Sequence, residues 1–169
     1  PRPPDASRIE VGIEHEDRSR GLVWFSVYRV SFDATYEILP EEGRAGPQEA
    51  RFRLDLPGEA TLDALSFEVD GRPLPVDRSR LEADVPLAPG RASEVRVRYR
   101  SAGQDAWEYV PGPDSGSLRR FSLSLLTDFA DLDYPPTGLS PTTRAEARAD
   151  GKPGASAAWS YEQMLPARN

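Results

Sequence analysis

The chain of 169 residues contains no cysteine and only one histidine, one lysine and one methionine. Without cysteine there are no disulfides, no thiolate chemistry and no zinc sites built on sulfur. A single histidine, His15, excludes both a histidine-rich metal site and the His-Glu-x-x-His motif. We expect no cofactor.

Basic residues are also in deficit, with 21 Lys and Arg against 28 Asp and Glu, giving a net charge of -7. This charge repels phosphate backbones, so we expect no nucleic-acid partner. The one lysine, Lys152, against many arginines is typical of a GC-rich bacterial genome.

Long apolar runs are absent as well: no stretch reaches the 18 residues of a membrane helix. The chain opens PRPPDASR, without an initiator Met or a signal peptide. We expect residues 1–169 to form one soluble domain excised from a longer membrane protein.

Apolar and polar residues alternate through much of the chain, as they do in half-buried β-strands. The alternating segments centre on Val11, Leu54, Phe67, Val85 and Val97. Each predicts a strand with one face in the core and the other in water.

Turn signals separate these segments. Asp70-Gly71 suits a type I′ hairpin, which needs positive φ at both central positions. Pro73 and Pro75 restrict the returning strand to an edge or a short ladder. Pro89-Gly90 marks a further turn.

Two segments are longer than an ordinary strand, Val23 to Ile38 and Leu118 to Phe129. The first is a candidate central strand. Its start is apolar at both odd and even positions, which predicts either burial on both faces or a bulge near Val27.

Near the C-terminus, residues 143–149 alternate and are followed by Ala157, Trp159 and Tyr161. The pattern favours a hairpin over a helix capped by Thr143, because so short a helix without an apolar stripe would be marginal. Together the segments predict an all-β fold, an antiparallel β-sandwich of about nine to eleven strands.

An acidic segment, TDFADLDYPPTGLSPTT from residue 127, raises the question of calcium binding through Asp128, Asp131 and Asp133. The segment does not match an EF-hand loop, and Asp with tandem Pro is also typical of a strand end. We favour a rigid connection. His15, in a charged stretch, is expected to be a solvated turn residue rather than a catalytic base.

Aromatic pairs suggest a possible sugar platform. Its members would be Trp24, Trp107, Tyr109, Trp159 and Tyr161. Strands favour aromatics in any case, so the alternative is that these side chains lie in the core or at a sheet edge.

Arginines occupy the polar face of the segment from Val95 to Arg100, and Arg51 and Arg53 lie on another strand. We expect them to pair with acidic residues on neighbouring strands, such as Glu68 and Glu82, rather than bind acidic ligands.

Residues 105–163 resemble a known group of domains. The carrying motifs are Trp107-Glu108-Tyr109, FSLSL from Phe121, Asp133-Tyr134-Pro135, GLSPT from Gly138 and Trp159-Ser160-Tyr161. They resemble the extracytoplasmic β-sandwich of uncharacterised bacterial integral membrane proteins and, more distantly, the CreD-type inner-membrane family.

A second resemblance covers residues 50–100, with FEVDGRPL and VPLAPGRASEVRVRYR. This section is similar to the noncatalytic sandwich that precedes zinc-aminopeptidase domains. The absence of His-Glu-x-x-His means that no peptidase activity follows from it.

The first resemblance implies a noncatalytic periplasmic module, not an enzyme, that serves for interaction or ligand sensing. Its partners would be another protein or the transmembrane segments of the parent chain, or a small ligand or glycan. The alternative from the aromatic pairs is a carbohydrate-binding or glycoside-processing domain.

Overall fold

The computed structural model of the protein describes residues 3–20, 23–44, 46–56, 61–103, 106–111, 118–136, 138–148 and 150–164. Its ten strands are β1 (Ala6–Arg20), β2 (Val23–Ile38), β3 (Gln48–Arg53), β4 (Thr61–Val69), β5 (Arg72–Pro73), β6 (Glu82–Leu87), β7 (Ser93–Gly103), β8 (Leu118–Thr127), β9 (Thr143–Ala145) and β10 (Ser156–Met164). The described residues contain no helix, so the predicted all-β class is confirmed. None of them lies in a helix able to cross a membrane.

Eight strands form one large sheet in the order β5-β4-β7-β2-β1-β8-β10-β9, and β3 pairs with β6 in a second, small sheet. The pairing of β1 with β8 is parallel, from Ser7 opposite Phe121 to Ile13 opposite Thr127. The large sheet is therefore mixed, and the prediction of a purely antiparallel arrangement was wrong. Side-chain alternation is the same in both kinds of sheet and carries no information about strand direction.

The hydrophobic core includes side chains of both sheets. Phe52 on β3 meets Tyr36 on β2, with ring centroids 4.9 Å apart, and Phe67 on β4 at 6.1 Å. Most of the predicted inward residues of the alternating segments are buried, among them Ile9, Val11, Val85, Val95 and Val97, whereas Leu56, Leu65 and Leu81 are half-buried. Period-two alternation thus assigned the inner face correctly.

The long strand β2 is central, flanked by β1 and β7. Its pairing with β1 runs from Ala6 opposite Glu37 to Arg20 opposite Val23 without a shift of register. A bulge near Val27 was therefore the wrong alternative. The other alternative, burial of both faces at the start of the strand, concerns side chains outside the described part.

The hairpin at Asp70-Gly71 has positive φ at both positions, 47° and 75°, as predicted. Val69 pairs with Arg72, and β5 is a two-residue edge strand that ends at Pro73. Pro73 cannot donate to a ladder, which keeps this edge short. Pro89-Gly90 also forms a turn, with φ of 69° at Gly90.

The C-terminal hairpin is confirmed in outline. Ala158 of β10 pairs with Thr143 of β9, and Ser156 pairs with Ala145. However, β9 has only three residues, where the sequence predicted alternation to residue 149. Likewise β8 ends at Thr127, two residues before the predicted end at Phe129.

Candidate functional site

The acidic segment after β8 acts as a structural connection. The Oδ1 atom of Asp128 accepts a hydrogen bond from the backbone N–H of His15 at 2.8 Å, and the N–H of Asp128 donates to the carbonyl of Ile13 at 3.3 Å. The aspartate therefore continues the β1–β8 pairing beyond the end of the strand. His15 lies within β1 rather than in a turn, and its Nε2 atom is 3.5 Å from Oδ1 of Asp17.

The rest of the connection packs against strand β10 of the large sheet. The indole N–H of Trp159 donates to the carbonyl of Leu139 at 2.8 Å, and the hydroxyl of Tyr161 donates to the backbone carbonyl of Ser140 at 3.2 Å. Tyr134 packs edge-on against Trp159, with centroids 6.1 Å apart. The connection is thus held by side chains of β10.

The structure does not bring Asp128, Asp131 and Asp133 together as metal ligands. All three are exposed, and no group of three acidic or histidine side chains among the described residues could hold an ion. Calcium needs six to eight oxygen ligands in one place.

We therefore expect calcium to leave thermal stability unchanged. A ligand that binds only the folded state raises the melting temperature by linkage, so the temperatures in millimolar calcium and in chelator should agree within about 1 °C. Differential scanning fluorimetry of the chain and of Asp131→Asn tests this. A calcium-dependent rise that Asp131→Asn removes would restore the metal site.

The aromatic residues of the predicted platform lie at separate places. Tyr109 stacks between Phe32 and Phe121, with centroid distances of 6.3 and 6.0 Å. Its segment, residues 106–111, lies outside the strands. Trp107 is half-buried and packs against the core. Both side chains are engaged with the core.

The remaining platform residues fall into two groups. Trp159 and Tyr161 are half-buried beneath the connection already described, and Tyr161 stacks on Phe121 at 6.5 Å. Trp24 lies in β2 opposite Ser19, and its side chain is outside the described part of the structure. The described members do not form one open surface.

Burial of the aromatic core changes the ionisation of its tyrosines. Desolvation raises the pKa of Tyr109 to about 12 and that of Tyr99 to about 12. Desolvation also raises the pKa of Tyr36 well above its usual range, and its hydroxyl lies 3.5 Å from that of Tyr109. These three hydroxyls stay neutral in the folded protein well above pH 10.

This predicts alkaline destabilisation. In the unfolded chain these tyrosines ionise near pH 10, whereas in the folded protein the pKa values of Tyr99 and Tyr109 are about 12 and that of Tyr36 is also raised. The free energy of unfolding should therefore fall as the pH rises from 10 to 12. Urea denaturation between pH 10 and 12 measures this decrease. It should be smaller in Tyr109→Phe, which lacks one of the three hydroxyls. A flat profile would contradict the burial of these hydroxyls.

The predicted cross-strand ion pairs are present on the outer face of the large sheet. Arg96 forms a bidentate ion pair with Asp33, in which its Nε and Nη2 atoms donate to the two carboxylate oxygens at 2.9 and 2.7 Å. This arginine lowers the pKa of the Asp33 carboxyl. Arg98 pairs with Glu68, as expected. On the small sheet, Arg51 pairs with Asp84 at 3.1 Å. These arginines stabilise the ladders.

Sequence reasoning missed a trough on this outer face, about 870 Å³ in volume. Small residues from several strands lie along it: Gly12, Ser31, Ala64, Ser66 and Ser124. Only the strand order brings these residues together, so no local pattern could reveal the trough.

A bulge in β4 lies at one rim of the trough. The register of β4 against β7 shifts between Asp63 and Ser66, and Ala64 has a φ of 54°. Bulges bend the strand that carries them, which fits a concave face here. Beside this rim, β7 contributes Arg98 and Arg100, and farther across the sheet β1 contributes Glu10 and Glu14.

No family model matches this sequence. No curated protein matches it either.

Solved structures do match the fold. Two crystal structures of an M1 zinc metallopeptidase mutant from Deinococcus radiodurans, one with a Tyr-Ser-Ala substrate, align with a TM-score of 0.51 and 16% identity. Each alignment covers 94% of this chain and 39% of the metallopeptidase.

A third match is a two-domain M1 zinc metallopeptidase mutant bound to L-tryptophan, with a TM-score of 0.51 and 16% identity. It covers 95% of this chain and 40% of that protein. The chain thus spans about two fifths of the length of each structure. At this identity the likeness is one of fold.

Proposed function

We propose that this chain is a noncatalytic β-sandwich module of a longer bacterial protein, in which it serves for interaction or ligand sensing. The alignment with a part of the M1 metallopeptidases carries the proposal, because nearly all of this chain corresponds to about two fifths of theirs. It agrees with the resemblance of residues 50–100 to the noncatalytic sandwich that precedes zinc-aminopeptidase domains. In this proposal the small sheet, β3 and β6, is the second layer of the sandwich.

The chemistry of the chain supports a role without catalysis. The chain has one histidine and no cysteine, and the described residues contain no cluster suited to a metal. On the outer face, Arg96 is paired with Asp33 and Arg98 with Glu68. We place the module on the extracytoplasmic side of a bacterial inner membrane, from the resemblance of residues 105–163 to such domains.

Carbohydrate binding is the weaker candidate. The described aromatic side chains that would form a sugar platform pack on the core or beneath the connection. A sugar would need these rings to be open on one face.

An activity assay tests the noncatalytic assignment. The chain is incubated with zinc and a panel of fluorogenic aminoacyl and glycoside substrates, with His15→Ala as the matched variant. We expect no turnover by either protein. Zinc-dependent hydrolysis that His15→Ala abolishes would overturn the assignment.

A second experiment tests location. The full-length protein is expressed in its own bacterium, with a protease site inserted at the exposed Gly43 turn. Protease added to spheroplasts should cleave it before lysis, and a control cytoplasmic protein should stay intact. Cleavage only after lysis would contradict the extracytoplasmic placement.

A further inference from the structure

Strand β3 of the small sheet has one paired edge and one open edge. The N–H of Leu54 donates to the carbonyl of Leu81 at 3.0 Å, in register with the pairing of Arg53 and Glu82. Hydrogen-bonded and non-hydrogen-bonded pairs alternate in an antiparallel ladder, so the even-numbered residues of β3 bond to β6 through their backbone. The backbone groups of the odd-numbered residues point away from β6; these residues are Glu49, Arg51 and Arg53.

The pairing of β6 agrees with this direction. Pro86, which has no N–H, lies opposite Glu49, at a position where that group would point away from β3. Glu82 exchanges two backbone hydrogen bonds with Asp77 on the same far side, at 2.8 and 3.3 Å. In the part of the chain that the structure describes, no hydrogen bond reaches the backbone of the odd-numbered residues of β3. Their N–H and carbonyl groups form the open edge.

Several other strand edges are blunted, as edges in native proteins usually are. The strand β5 has two residues and ends at Pro73, and β9 has three residues. The strand β4 carries a bulge at Ala64, and β6 carries Pro86. In contrast, β3 has six residues in regular register, without a proline or a bulge. Its open edge is therefore suited to pairing with a further strand.

The charges along this edge alternate in sign. Charged side chains usually keep an edge from pairing, but Glu49 and Arg51, which are both exposed, have opposite charges. When a second copy of β3 lies antiparallel to the first about a two-fold axis at Ala50, Glu49 of each copy lies directly opposite Arg51 of the other. Opposite charges in such positions stabilise a strand pair. Ala50 then faces its own copy in a non-hydrogen-bonded pair, where Cα atoms approach to about 4.5 Å and a small side chain fits.

The neighbouring strands extend this order of charges. Arg51 is already paired with Asp84 at 3.1 Å, and Glu49 lies opposite Pro86. A row across the four strands of two copies therefore reads Asp84, Arg51, Glu49 and Pro86, in which no two like charges are adjacent. The ladder between the copies ends where Arg53 meets Pro47, which has no N–H to donate.

Other registers match less well. An axis between two residues places outward backbone groups opposite inward ones, so no ladder forms. An axis at Glu49 places Glu49 opposite its own copy, and an axis at Arg51 places Arg51 opposite its own copy. An axis at Phe52 places Arg51 opposite Arg53. Each of the last three puts like charges directly opposite, which is destabilising.

We propose that two copies of this chain associate by pairing their β3 strands antiparallel about a two-fold axis at Ala50. The two small sheets then form one sheet of four strands in the order β6-β3-β3-β6. Two-fold contacts between identical surfaces are the commonest arrangement in homo-oligomers. Pairing satisfies the open backbone groups and enlarges a two-stranded sheet, which is marginal by itself. This self-association goes beyond the interaction role proposed above and does not depend on it.

Sedimentation velocity of the 169-residue chain over a series of concentrations measures the association. We expect a monomer–dimer equilibrium. Glu49→Arg places two arginines opposite each other in both pairs, and Arg51→Glu places two glutamates there, so each variant alone should dimerise at least tenfold more weakly. A mixture of the two variants has opposite charges in both pairs and should form a heterodimer. Far-UV circular dichroism checks that both variants are folded.

Two further variants serve as controls. Arg53→Gln changes a charge that lies opposite Pro47 in the proposed register, so it should alter dimerisation less than threefold. Arg51→Pro removes an N–H from the open edge but none from the β3–β6 ladder, and should abolish dimerisation with an unchanged circular dichroism spectrum.

Several results would overturn the proposal. These are a monomer at every concentration, equal dimerisation of the unmodified chain and Glu49→Arg, the absence of a heterodimer in the mixture, or dimerisation that Arg51→Pro leaves intact. A larger effect of Arg53→Gln than of Glu49→Arg would contradict the axis at Ala50. Slow hydrogen exchange of the Arg51 amide in the dilute monomer would show that the same chain covers this edge, and would also overturn it. The noncatalytic assignment depends on the hydrolysis assay and is unaffected by these results.

Discussion

Replacing Gly154 by alanine should destabilise the protein by about 3 kcal/mol or more, the largest effect that we expect from adding one methyl group. Gly154 has a φ of 130°, a conformation that L-residues rarely adopt. A Cβ atom there would lie 1.8 Å from the carbonyl oxygen of Thr127, so the backbone of one segment must move. Urea denaturation measures the loss.

The surroundings explain why this movement is costly. The N–H of Thr127 donates to the carbonyl of Ala155 at 3.0 Å, and the fully buried Thr127 hydroxyl accepts a hydrogen bond from the N–H of Ala155 at 3.2 Å. These bonds join the end of β8 to the start of β10. A shift of Gly154 breaks them in a buried site, where unpaired polar groups cost about 1–3 kcal/mol each.

Gly151→Ala is the matched control. Gly151 also has a positive φ, 71°, but a Cβ atom there would meet nothing within 4 Å. Its cost should be limited to backbone strain of about 1–2 kcal/mol. Equal losses for the two variants would show that Gly154 is not closely packed against Thr127.

Replacing Phe52 by alanine should cost about 3–5 kcal/mol, because it removes a buried ring and leaves a cavity between the two sheets. Phe52 is 4% exposed and contacts the rings of Tyr36 and Phe67. The small sheet has only β3 and β6, and a two-stranded sheet is marginal without packing. Phe52→Ala should therefore loosen the small sheet before the large one.

Hydrogen exchange distinguishes this result from general destabilisation. Amides of Gln48–Arg53 and Glu82–Leu87 should lose protection in the variant, while those of β2 and β7 keep more of theirs. Val110→Ala is a control, because Val110 is 37% exposed and should cost little. Uniform loss of protection across both sheets would contradict a separate role for Phe52 in holding the small sheet.

The sequence predicted which residues point inward but not which strands are neighbours. The alternation around Ile9, Val85 and Val97 was sufficient to identify the inward residues, because one face of each strand must be buried. The Asp70-Gly71 turn was predictable because few residue pairs tolerate its backbone. Neither signal reports that β1 lies beside β8, since that choice depends on packing across the whole chain.

In the candidate sites too, the sequence predicted local features but not those that depend on the arrangement of distant strands. The pairing of Arg98 with Glu68 joins two neighbouring strands and was predicted. The trough was not predicted, because it is formed by residues such as Gly12, Ser31 and Ser124 from three different strands. The acidic connection was favoured as structural, and the hydrogen bond from His15 to Asp128 supplies the specific reason.

The parallel pairing of β1 with β8 bears on how the protein is made. During translation β1 emerges early and can pair with β2 at once, but its other edge must wait for Phe121 and the residues after it. At about 5–20 residues per second, this wait lasts roughly ten seconds. For that time β1 has an unpaired, partly apolar edge, so efficient folding should depend on a holding chaperone more than the size of the protein suggests.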